Sequence, residues 1–333
     1  MNLILTNTGS YPRIGDTPDK QLLRRTIAQW ERGEKTAEEL ATAERELTRS
    51  AIEEQIAAGL ELVTDGQIRW YDPISHLAGK LAGVKINGLL RFFDTNFYFR
   101  QPVVEARLAR RNGMVVSDFE QAHSLSSRPL KPVLTGPYTL AKFSIAHHEP
   151  YKNLETLALA YAEILADEVA ALAAAGANII QVDEPAILKF PGDYVIVAHA
   201  LAVLAEKRGA AKLALYTYFG DAEPLYARFQ ELEVDTVGLD FTYNPRLVDV
   251  VAASGSPKAL GLGLIDGRNT RREDAKTVVA ALEKILPKIR AADSYLNPSC
   301  GLEYLPRERA FEKLKNMAAI KRALQGHAAP RRG

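Results

Sequence analysis

The sequence predicts an α/β fold, most simply a (β/α)8 TIM barrel that forms a single domain. Eight short apolar runs alternate with mostly helical segments along the chain, which is the rhythm of a barrel. The length of 333 residues suits one barrel-sized domain. Polar and charged side chains follow most of the apolar runs, and in a barrel those strand ends form the active-site face.

A doubly wound open sheet is the alternative fold. Such a sheet usually carries a glycine-rich phosphate turn after its first strand. Here the first apolar run is followed by Gly9-Ser10-Tyr11-Pro12, which lacks that glycine spacing. The late pair Gly261 and Gly263 is a weak signal and is better explained by tight packing inside a barrel. The barrel therefore remains the simpler prediction.

The N-terminal part begins with a short strand, 3–6, and continues with two helices. Thr36 and Glu39 have the spacing of a capping box at the start of the second helix, and Gly59 follows its end. The predicted elements here are the helices 20–31 and 36–58 and the strand 60–64. Residues 80–127 then break the rhythm, because aromatic and polar residues alternate around 91–99. We predict an inserted β-type excursion with short helices in this region, within the same domain.

The alternation resumes after Arg128. A long helix over 153–175 repeats apolar residues at helical spacing and stops at Gly176. The predicted strands are 131–135, 212–216, 234–240, 259–264 and 294–296, together with a strand that begins at Ile179 and runs into Asp183 and Glu184. We predict that the barrel spans 1–325 and that 326–333 form a disordered tail.

Composition excludes several classes of protein. A formal net charge of +1 gives no bulk attraction to nucleic acid or to an anionic membrane. The single cysteine, Cys300, excludes an intrachain disulfide and a zinc site built mainly from sulfur. The first residues lack the pattern of a signal peptide, and no apolar run is long enough to cross a membrane. We expect a cytoplasmic protein with neither nucleic-acid nor membrane partners.

The stretch 179–186 carries the strongest functional signal, because a buried-type strand runs directly into Asp183 and Glu184. Two carboxylates beside a buried strand end lose hydration, so a partner is expected. That partner could be a ligand amine, an arginine or a capped helix. The structural alternative is that one carboxylate caps the next helix while the other faces solvent.

Polar residues after the other strands suit a pocket for a small polar ligand. Carboxylates would hold an amine, arginines would hold a carboxylate, and tyrosine or tryptophan would cover an apolar part. The candidate substrate-binding residues are Ser10, Arg13, Asp65, Gln67, Trp70, Asp183, Glu184, Tyr218 and Asp240. The alternative is that some of these pair with each other, with Arg13 neutralising Asp183 or Asp65. The residues alone assign no catalytic group.

Four segments resemble, in order, the motifs of the cobalamin-independent methionine synthase family. They are Gly9-Ser10-Tyr11-Pro12-Arg13, Lys131-Pro132-Val133-Leu134-Thr135-Gly136-Pro137, Gln181-Val182-Asp183-Glu184-Pro185-Ala186 and Asn297-Pro298-Ser299-Cys300-Gly301-Leu302. The resemblance implies a relation to enzymes with two (β/α)8 barrels in one polypeptide. Their C-terminal barrel holds zinc and homocysteine, and their N-terminal barrel helps to hold a polyglutamylated methylfolate.

The zinc positions of that family are incomplete here. The resemblance places Leu215 and Thr217 where the zinc barrel has a histidine and a cysteine, and Asp240 at or near its glutamate. Cys300 and Asp240 are therefore the only remnants, and no metal is expected. The segments 70–72, 93–98, 217–219 and 265–269 look like the N-terminal barrel instead. The chain resembles a free-standing barrel closer to the N-terminal, zinc-free one, with Ser10 and Asp183 at positions that hold the amino acid in the active barrel.

The resemblance implies methyl transfer to homocysteine in methionine biosynthesis, from a methylated folate or another methyl donor. The chain would do this either alone or only together with a separate zinc-bearing barrel protein. Two alternatives stay open. One is a non-catalytic barrel that binds a folate or an amino acid, and the other is a different zinc-free enzyme on the same scaffold.

Overall fold

The computed structural model describes residues 1–328, with side chains described up to residue 326. Within it the chain divides into two compact units, each built from separate stretches of sequence. The first unit comprises Met1–Arg69, Gln121–Leu130 and Asn244–Gly333, and the second comprises Trp70–Glu120 and Lys131–Tyr243. Each unit contains its own parallel strands.

The described residues form ten strands and twelve α-helices. The strands are β1 (Asn2–Leu5), β2 (Leu81–Arg91), β3 (Tyr98–Arg110), β4 (Val133–Thr135), β5 (Ile145–Ala146), β6 (Ile179–Asp183), β7 (Lys212–Tyr216), β8 (Thr236–Asp240), β9 (Ala259–Ile265) and β10 (Asp293–Pro298). The helices are α1 (Leu22–Glu31), α2 (Ala37–Ala57), α3 (Ser75–Ala78), α4 (Val116–Leu125), α5 (Pro137–Phe143), α6 (Leu154–Ala174), α7 (Ala186–Lys189), α8 (Tyr194–Glu206), α9 (Tyr226–Phe229), α10 (Leu247–Ser254), α11 (Ala275–Ile285) and α12 (Arg307–Ala328).

In the first unit, β1, β10 and β9 lie side by side in that order and are parallel. Leu3 pairs with Ser294 and Leu5 with Leu296. The pairing of β10 with β9 shifts register between Asn297 and Pro298, where the chain leaves the sheet.

The predicted strand 60–64 is wrong as an extended strand. Isolated bridges join Leu62 to Thr6 and Val63 to Leu130. Both backbone polar groups of Thr64 form hydrogen bonds with the side chain of Gln55. The Gln55 amide N–H donates to the Thr64 carbonyl at 2.9 Å, and the Gln55 Oε1 accepts from the Thr64 N–H at 3.0 Å. A glutamine therefore takes the place that a neighbouring strand would fill.

In the second unit, β4, β6, β7 and β8 lie side by side in that order and are parallel. All five residues of β6 are buried, as the continuous apolar run predicted. Thr135 pairs with Asp183, and Asp183 pairs with Tyr216. The C-terminal ends of these strands therefore form one row, with Asp183 in it.

The region predicted as an excursion is built around a long antiparallel hairpin in the second unit. Strand β2 pairs with β3 from Leu81 opposite Arg110 to Arg91 opposite Tyr98, and β3 pairs in parallel with the short β5. Helix α4 follows the hairpin. Confinement of the whole chain to one domain stays a prediction.

The helix boundaries follow the capping signals in the sequence. The Thr36 hydroxyl accepts from the Glu39 N–H at 3.2 Å, and the Glu39 carboxylate accepts from the Thr36 N–H at 2.9 Å, so the predicted capping box is confirmed. Asn153 caps α6 by accepting from the Thr156 N–H at 2.9 Å. Residues 326–328, predicted to begin a disordered tail, continue α12 instead, and 329–333 lie outside the described residues. None of the described helices combines the length and the apolar character that a membrane span needs.

Candidate functional site

The end of β6 in the second unit carries a buried carboxylate, Asp183, which is 7% exposed. The Gln181 amide donates to its Oδ1 at 2.7 Å, and the Tyr218 hydroxyl donates to its Oδ2 at 3.0 Å. Gln181 reaches it because residues two apart on a strand point to the same face. An ionised carboxylate has about four acceptor positions, so these two donors leave room for a third.

A buried cation stands behind this carboxylate. Lys131 is fully buried just before β4, and its ammonium donates to the Gln181 Oε1. The same ammonium lies 4.7 Å from the centroid of the Tyr216 ring, a cation–π contact. The predicted partners of the carboxylates were a ligand amine, an arginine or a capped helix, and in the second unit a lysine acts on Asp183 through Gln181.

Burial sets the ionisation of these groups. It raises the pKa of Asp183 from 3.8 to about 7, against the lowering effects of Gln181, Tyr218 and Lys131. It lowers the pKa of Lys131 from 10.5 to about 7, against the raising effect of Asp183. Both groups therefore titrate near neutrality, where a small change in surroundings changes their charge.

Glu184 is fully buried and is engaged with a helix. Its Oε1 accepts from the Tyr138 N–H at 2.9 Å and its Oε2 from the Thr139 N–H at 2.7 Å, at the start of α5. The pKa of Glu184 is raised from 4.5 to about 7, chiefly by burial and also by the charge of Asp183, against the lowering effect of these hydrogen bonds. One of the two carboxylates thus caps a helix, as the structural alternative expected, although the helix is α5 and not the next one. This geometry favours a structural role for Glu184.

Gly136 makes this cap possible. A Cβ built on Gly136 would lie 2.2 Å from the Cδ and Oε1 atoms of Glu184. The Thr-Gly-Pro motif thus has a steric cause, because any larger residue would push the carboxylate off the helix.

We predict that Gly136→Ala destabilises the protein by about 1–3 kcal/mol, because overpacking a buried site strains its neighbours. Urea unfolding followed by circular dichroism measures this change. Gly192→Ala is the matched control, since a Cβ there meets nothing within 4 Å. Equal midpoints for the two variants would contradict the steric argument.

Tyr218 and Asp240 lie at the C-terminal ends of neighbouring strands of the second unit, after β7 and at the end of β8. Phe219 follows Tyr218 with φ of 67°, the left-handed region that is costly for a bulky residue. Its N–H donates to the Asp240 Oδ2 at 3.4 Å, while the Asp240 Oδ1 accepts from the Thr242 N–H at 2.9 Å and hydroxyl at 2.6 Å. Asp240 therefore joins the loop after β7, which carries Tyr218 and Phe219, to the loop after β8, which carries Thr242.

Aromatic rings from the hairpin cover this loop. Phe93, in the turn between β2 and β3, lies 5.4 Å from Phe219 and 5.3 Å from Phe143, measured between ring centroids. Trp70 is 5% exposed and stacks on His76 at 4.8 Å. The Trp70 indole N–H is buried without a hydrogen-bond acceptor among the described residues, which leaves a donor for a ligand.

The remaining predicted residues belong to the first unit. Ser10 is buried after β1, and its carbonyl accepts from the Leu302 N–H at 3.0 Å. A Cβ on Gly301 would lie 2.0 Å from the Ser10 Oγ, so the two motif loops meet at a glycine. The structure thus brings the first and last motifs of the sequence together.

Asp65, Gln67 and Arg13 are all partly exposed. The Asp65 Oδ1 accepts from the Gln67 N–H at 3.0 Å, and Gln67 adopts φ of 51°. The loop that carries Arg13 is anchored by Arg307, whose guanidinium donates to the Pro12 carbonyl at 3.3 Å. Sequence reasoning missed this buried arginine.

The residues at the family's zinc positions do not fit a zinc ion. Leu215 and Thr217 supply no histidine or cysteine ligand, and Asp240 is engaged by Thr242 and Phe219. The Cys300 thiol is buried and faces the Gly301 carbonyl at 3.4 Å. Among residues with described side chains, no group of three or more histidine, cysteine, aspartate and glutamate residues could hold a metal ion.

Comparison with known proteins defines the family. The sequence model of the cobalamin-independent synthase catalytic domain matches residues 3–323. The methionine synthase of Saccharolobus solfataricus is 32% identical over 314 residues, covering 94% of this chain and 92% of the relative. That of Sulfurisphaera tokodaii is 33% identical over 318 residues, covering 94% and 89%. The chain belongs to the cobalamin-independent methionine synthase family, as the motifs predicted.

Solved structures show the fold. A B12-independent methionine synthase from Shewanella sp. W3-18-1, in complex with selenomethionine, superposes with a TM-score of 0.81 at 22% identity, covering 98% of this chain and 99% of that one. A methyltransferase from Methanosarcina mazei gives 0.65 at 14% identity, covering 96% and 94%. The predicted TIM-barrel fold class is confirmed. The matching family model is that of the catalytic domain, so it does not support the predicted closer likeness to an N-terminal barrel.

Proposed function

We propose that this chain is a methyltransferase of methionine biosynthesis, which binds homocysteine and transfers a methyl group to its sulfur. The observation that carries the proposal is the buried carboxylate of Asp183 at the end of β6, with acceptor positions left beside Gln181 and Tyr218. A buried anion of this kind suits the ammonium of an amino acid, because a charge-assisted hydrogen bond offsets the lost hydration of both groups.

The relatives support an amino-acid ligand. The matched relatives from Saccharolobus and Sulfurisphaera are named methionine synthases, and this chain covers about nine-tenths of each. A structural neighbour was solved with selenomethionine, which is a product-type amino acid. Such a ligand carries an ammonium, the group that we propose the Asp183 carboxylate holds.

The other predicted residues take supporting roles in this proposal. Tyr218 fixes one oxygen of Asp183, and Asp240 fixes the loop of Tyr218 through the Phe219 N–H. The buried Trp70 N–H is a hydrogen-bond donor for the bound ligand. Ser10 belongs to a loop closed by Gly301 in the first unit. We assign Tyr218, Asp240 and Trp70 of the second unit to binding and orientation, and none of them to the chemical step.

The transfer forms a bond between the methyl carbon and the homocysteine sulfur and breaks the bond between that carbon and its donor. The thiol proton leaves, because the thiolate is the nucleophile. A methylated folate or another methyl donor supplies the group. We propose that the reaction runs in the cytoplasm, and a separate zinc-bearing barrel protein is the partner to test if this chain alone does not turn over.

The deciding experiment combines binding, turnover and metal analysis on the full chain. Calorimetric titration with L-homocysteine, L-methionine and a methylfolate should show saturable binding of at least one of the two amino acids. Methionine formation is then measured with the chain alone and with a zinc-type barrel protein added. Binding of neither amino acid would overturn the proposal, and amino-acid binding without turnover in either mixture would favour the non-catalytic alternative.

Metal content gives an independent check of the zinc positions. We expect purified protein to hold far less than one zinc per chain after mild chelation, because Leu215 and Thr217 cannot ligate the ion. Elemental analysis by plasma mass spectrometry measures it. Stoichiometric zinc that survives the chelator would reveal ligands outside the family positions.

A further inference from the structure

Lys131 and Gln181 form a chain of hydrogen bonds, here named the relay, that ends on Asp183. The Lys131 ammonium donates to Gln181 Oε1, and Gln181 Nε2 donates to Asp183 Oδ1 at 2.7 Å. Only one orientation of the amide satisfies both neighbours, because a cation requires its oxygen and an anion requires its nitrogen. The charges at the two ends therefore fix the glutamine, and the glutamine fixes the plane of the carboxylate.

The relay is buried along its whole length. Lys131 and Gln181 are both 0% exposed, and a lysine in such a place loses most of its hydration. Its charge is stabilised by the Gln181 Oε1 acceptor, by the Tyr216 ring at 4.7 Å and by the negative charge of Asp183 beyond the amide. The same attraction acts in reverse, so the lysine stabilises the ionised form of Asp183.

We propose that Lys131 is a positioning residue that acts through Gln181, keeping Asp183 ionised and one of its oxygens directed towards the ammonium of the bound amino acid. The amino-acid part of this inference rests on the proposed function, whereas the effect of Lys131 on Asp183 does not. Because the lysine reaches Asp183 through an amide, it supports the negative charge without taking the acceptor positions that the ligand needs.

Two further groups act on Asp183 and one acts on Lys131, and together they set the size of the effect. Glu184, next in the chain, is a second buried carboxylate, and the negative charges of the two carboxylates disfavour each other. Tyr218 donates to Asp183 and favours its ionised form. Tyr216 contributes a neutral ring to Lys131. Lys131 is thus the cation that favours the ionised form of Asp183.

The test measures the ionisation of Asp183 without any ligand. Protein labelled with ¹³C at the aspartate carboxyl groups is titrated by NMR, and the Asp183 signal is assigned by its loss in Asp183→Asn. Lys131→Met keeps an unbranched side chain that is one atom shorter and removes the charge. We expect its Asp183 midpoint to rise by about one to two pH units, a ten- to hundred-fold change in proton affinity.

Lys313→Met is the matched control, because Lys313 is 1% exposed but its ammonium pairs with Glu273 at 2.6 Å in the first unit. Its Asp183 midpoint should equal that of the parent protein. Lys131→Gln, which removes the charge but keeps an N–H donor for Gln181, should also raise the midpoint, and it serves if Lys131→Met does not fold. An unchanged midpoint in a folded variant of Lys131 would overturn the inference.

A binding arm separates this inference from the proposed function. At pH 7, Lys131→Met should bind homocysteine about ten-fold more weakly than the parent protein, and the loss should shrink as the pH rises to 8.5. A purely structural lysine would weaken binding equally at every pH. If the parent protein binds no amino acid while the NMR midpoint still shifts, the proposed function fails and the relay stands.

Discussion

The affinity for homocysteine should fall about ten- to fifty-fold when the pH is lowered from 7 to 5. Burial raises the pKa of Asp183 to about 7, so this carboxyl is about half ionised at pH 7 and about 1% ionised at pH 5. The ligand's ammonium stays protonated over this range and its carboxylate stays ionised. Since an ammonium binds the ionised carboxylate and not the neutral acid, the affinity is lost on the acidic side.

The affinity falls between pH 7 and pH 5 because the pKa of Asp183 is raised and not lowered. An acid with a raised pKa is neutral at a pH where an ordinary aspartate is ionised, so binding releases a proton near neutrality. Glu184 loses its charge and Lys131 gains one as the pH falls, and both changes favour ionised Asp183 and moderate the effect. Calorimetric titration of the parent protein at several pH values, in buffers of different ionisation enthalpy, measures the affinity and the proton released.

The Asp183→Asn variant is the control for this profile, because it has no group at position 183 that titrates. Its weaker affinity should change little between pH 5 and pH 7. A profile as steep as that of the parent protein would assign the titration to another residue. A flat profile in the parent protein would show that Asp183 is already ionised at pH 5 or does not meet the ligand.

The fold could be predicted from local patterns because each signal acts over a few residues. The capping box of Thr36 and Glu39 needs only the spacing of those residues, and the buried run of β6 needs only its own apolar side chains. The strand expected at 60–64 could not be excluded in this way. Its backbone is occupied by Gln55, a contact that depends on how α2 packs in the first unit and leaves no mark in the run itself.

The candidate site divides along the same line. Asp183 could be predicted because a strand that ends in carboxylates is a local pattern. The lysine of the relay could not be predicted, because Lys131 lies just before β4 and Asp183 comes 52 residues later in the chain. The one signal was a lysine and a glutamine at the edges of otherwise apolar runs, where a polar side chain must find a buried partner. Which partner it finds depends on the order of the strands, and the sequence alone does not state that order.

The Asp183→Asn variant should bind homocysteine or methionine about ten- to a hundred-fold more weakly than the parent protein at pH 8. A lost charge-assisted hydrogen bond in a buried site is worth roughly 1.5–3 kcal/mol. The fold should survive, because asparagine can satisfy both neighbours. Its Oδ1 can accept from Gln181, and its amide can donate to the Tyr218 hydroxyl, which then acts as acceptor.

Asp235→Asn is the matched control, since Asp235 is also an aspartate beside a strand of the second unit. It precedes β8, and its carboxylate accepts from the Leu213 N–H at 2.8 Å and pairs with Arg208. It therefore lies at the N-terminal strand ends, where a residue stabilises a barrel and does not bind its ligand. Asp235→Asn should lower the unfolding midpoint and leave the affinity within about two-fold of the parent protein. If Asp183 holds the ammonium of the ligand, removing its negative charge must weaken binding. Equal affinities in the parent protein and Asp183→Asn, with both folded, would therefore show that Asp183 is structural and that the ammonium binds elsewhere.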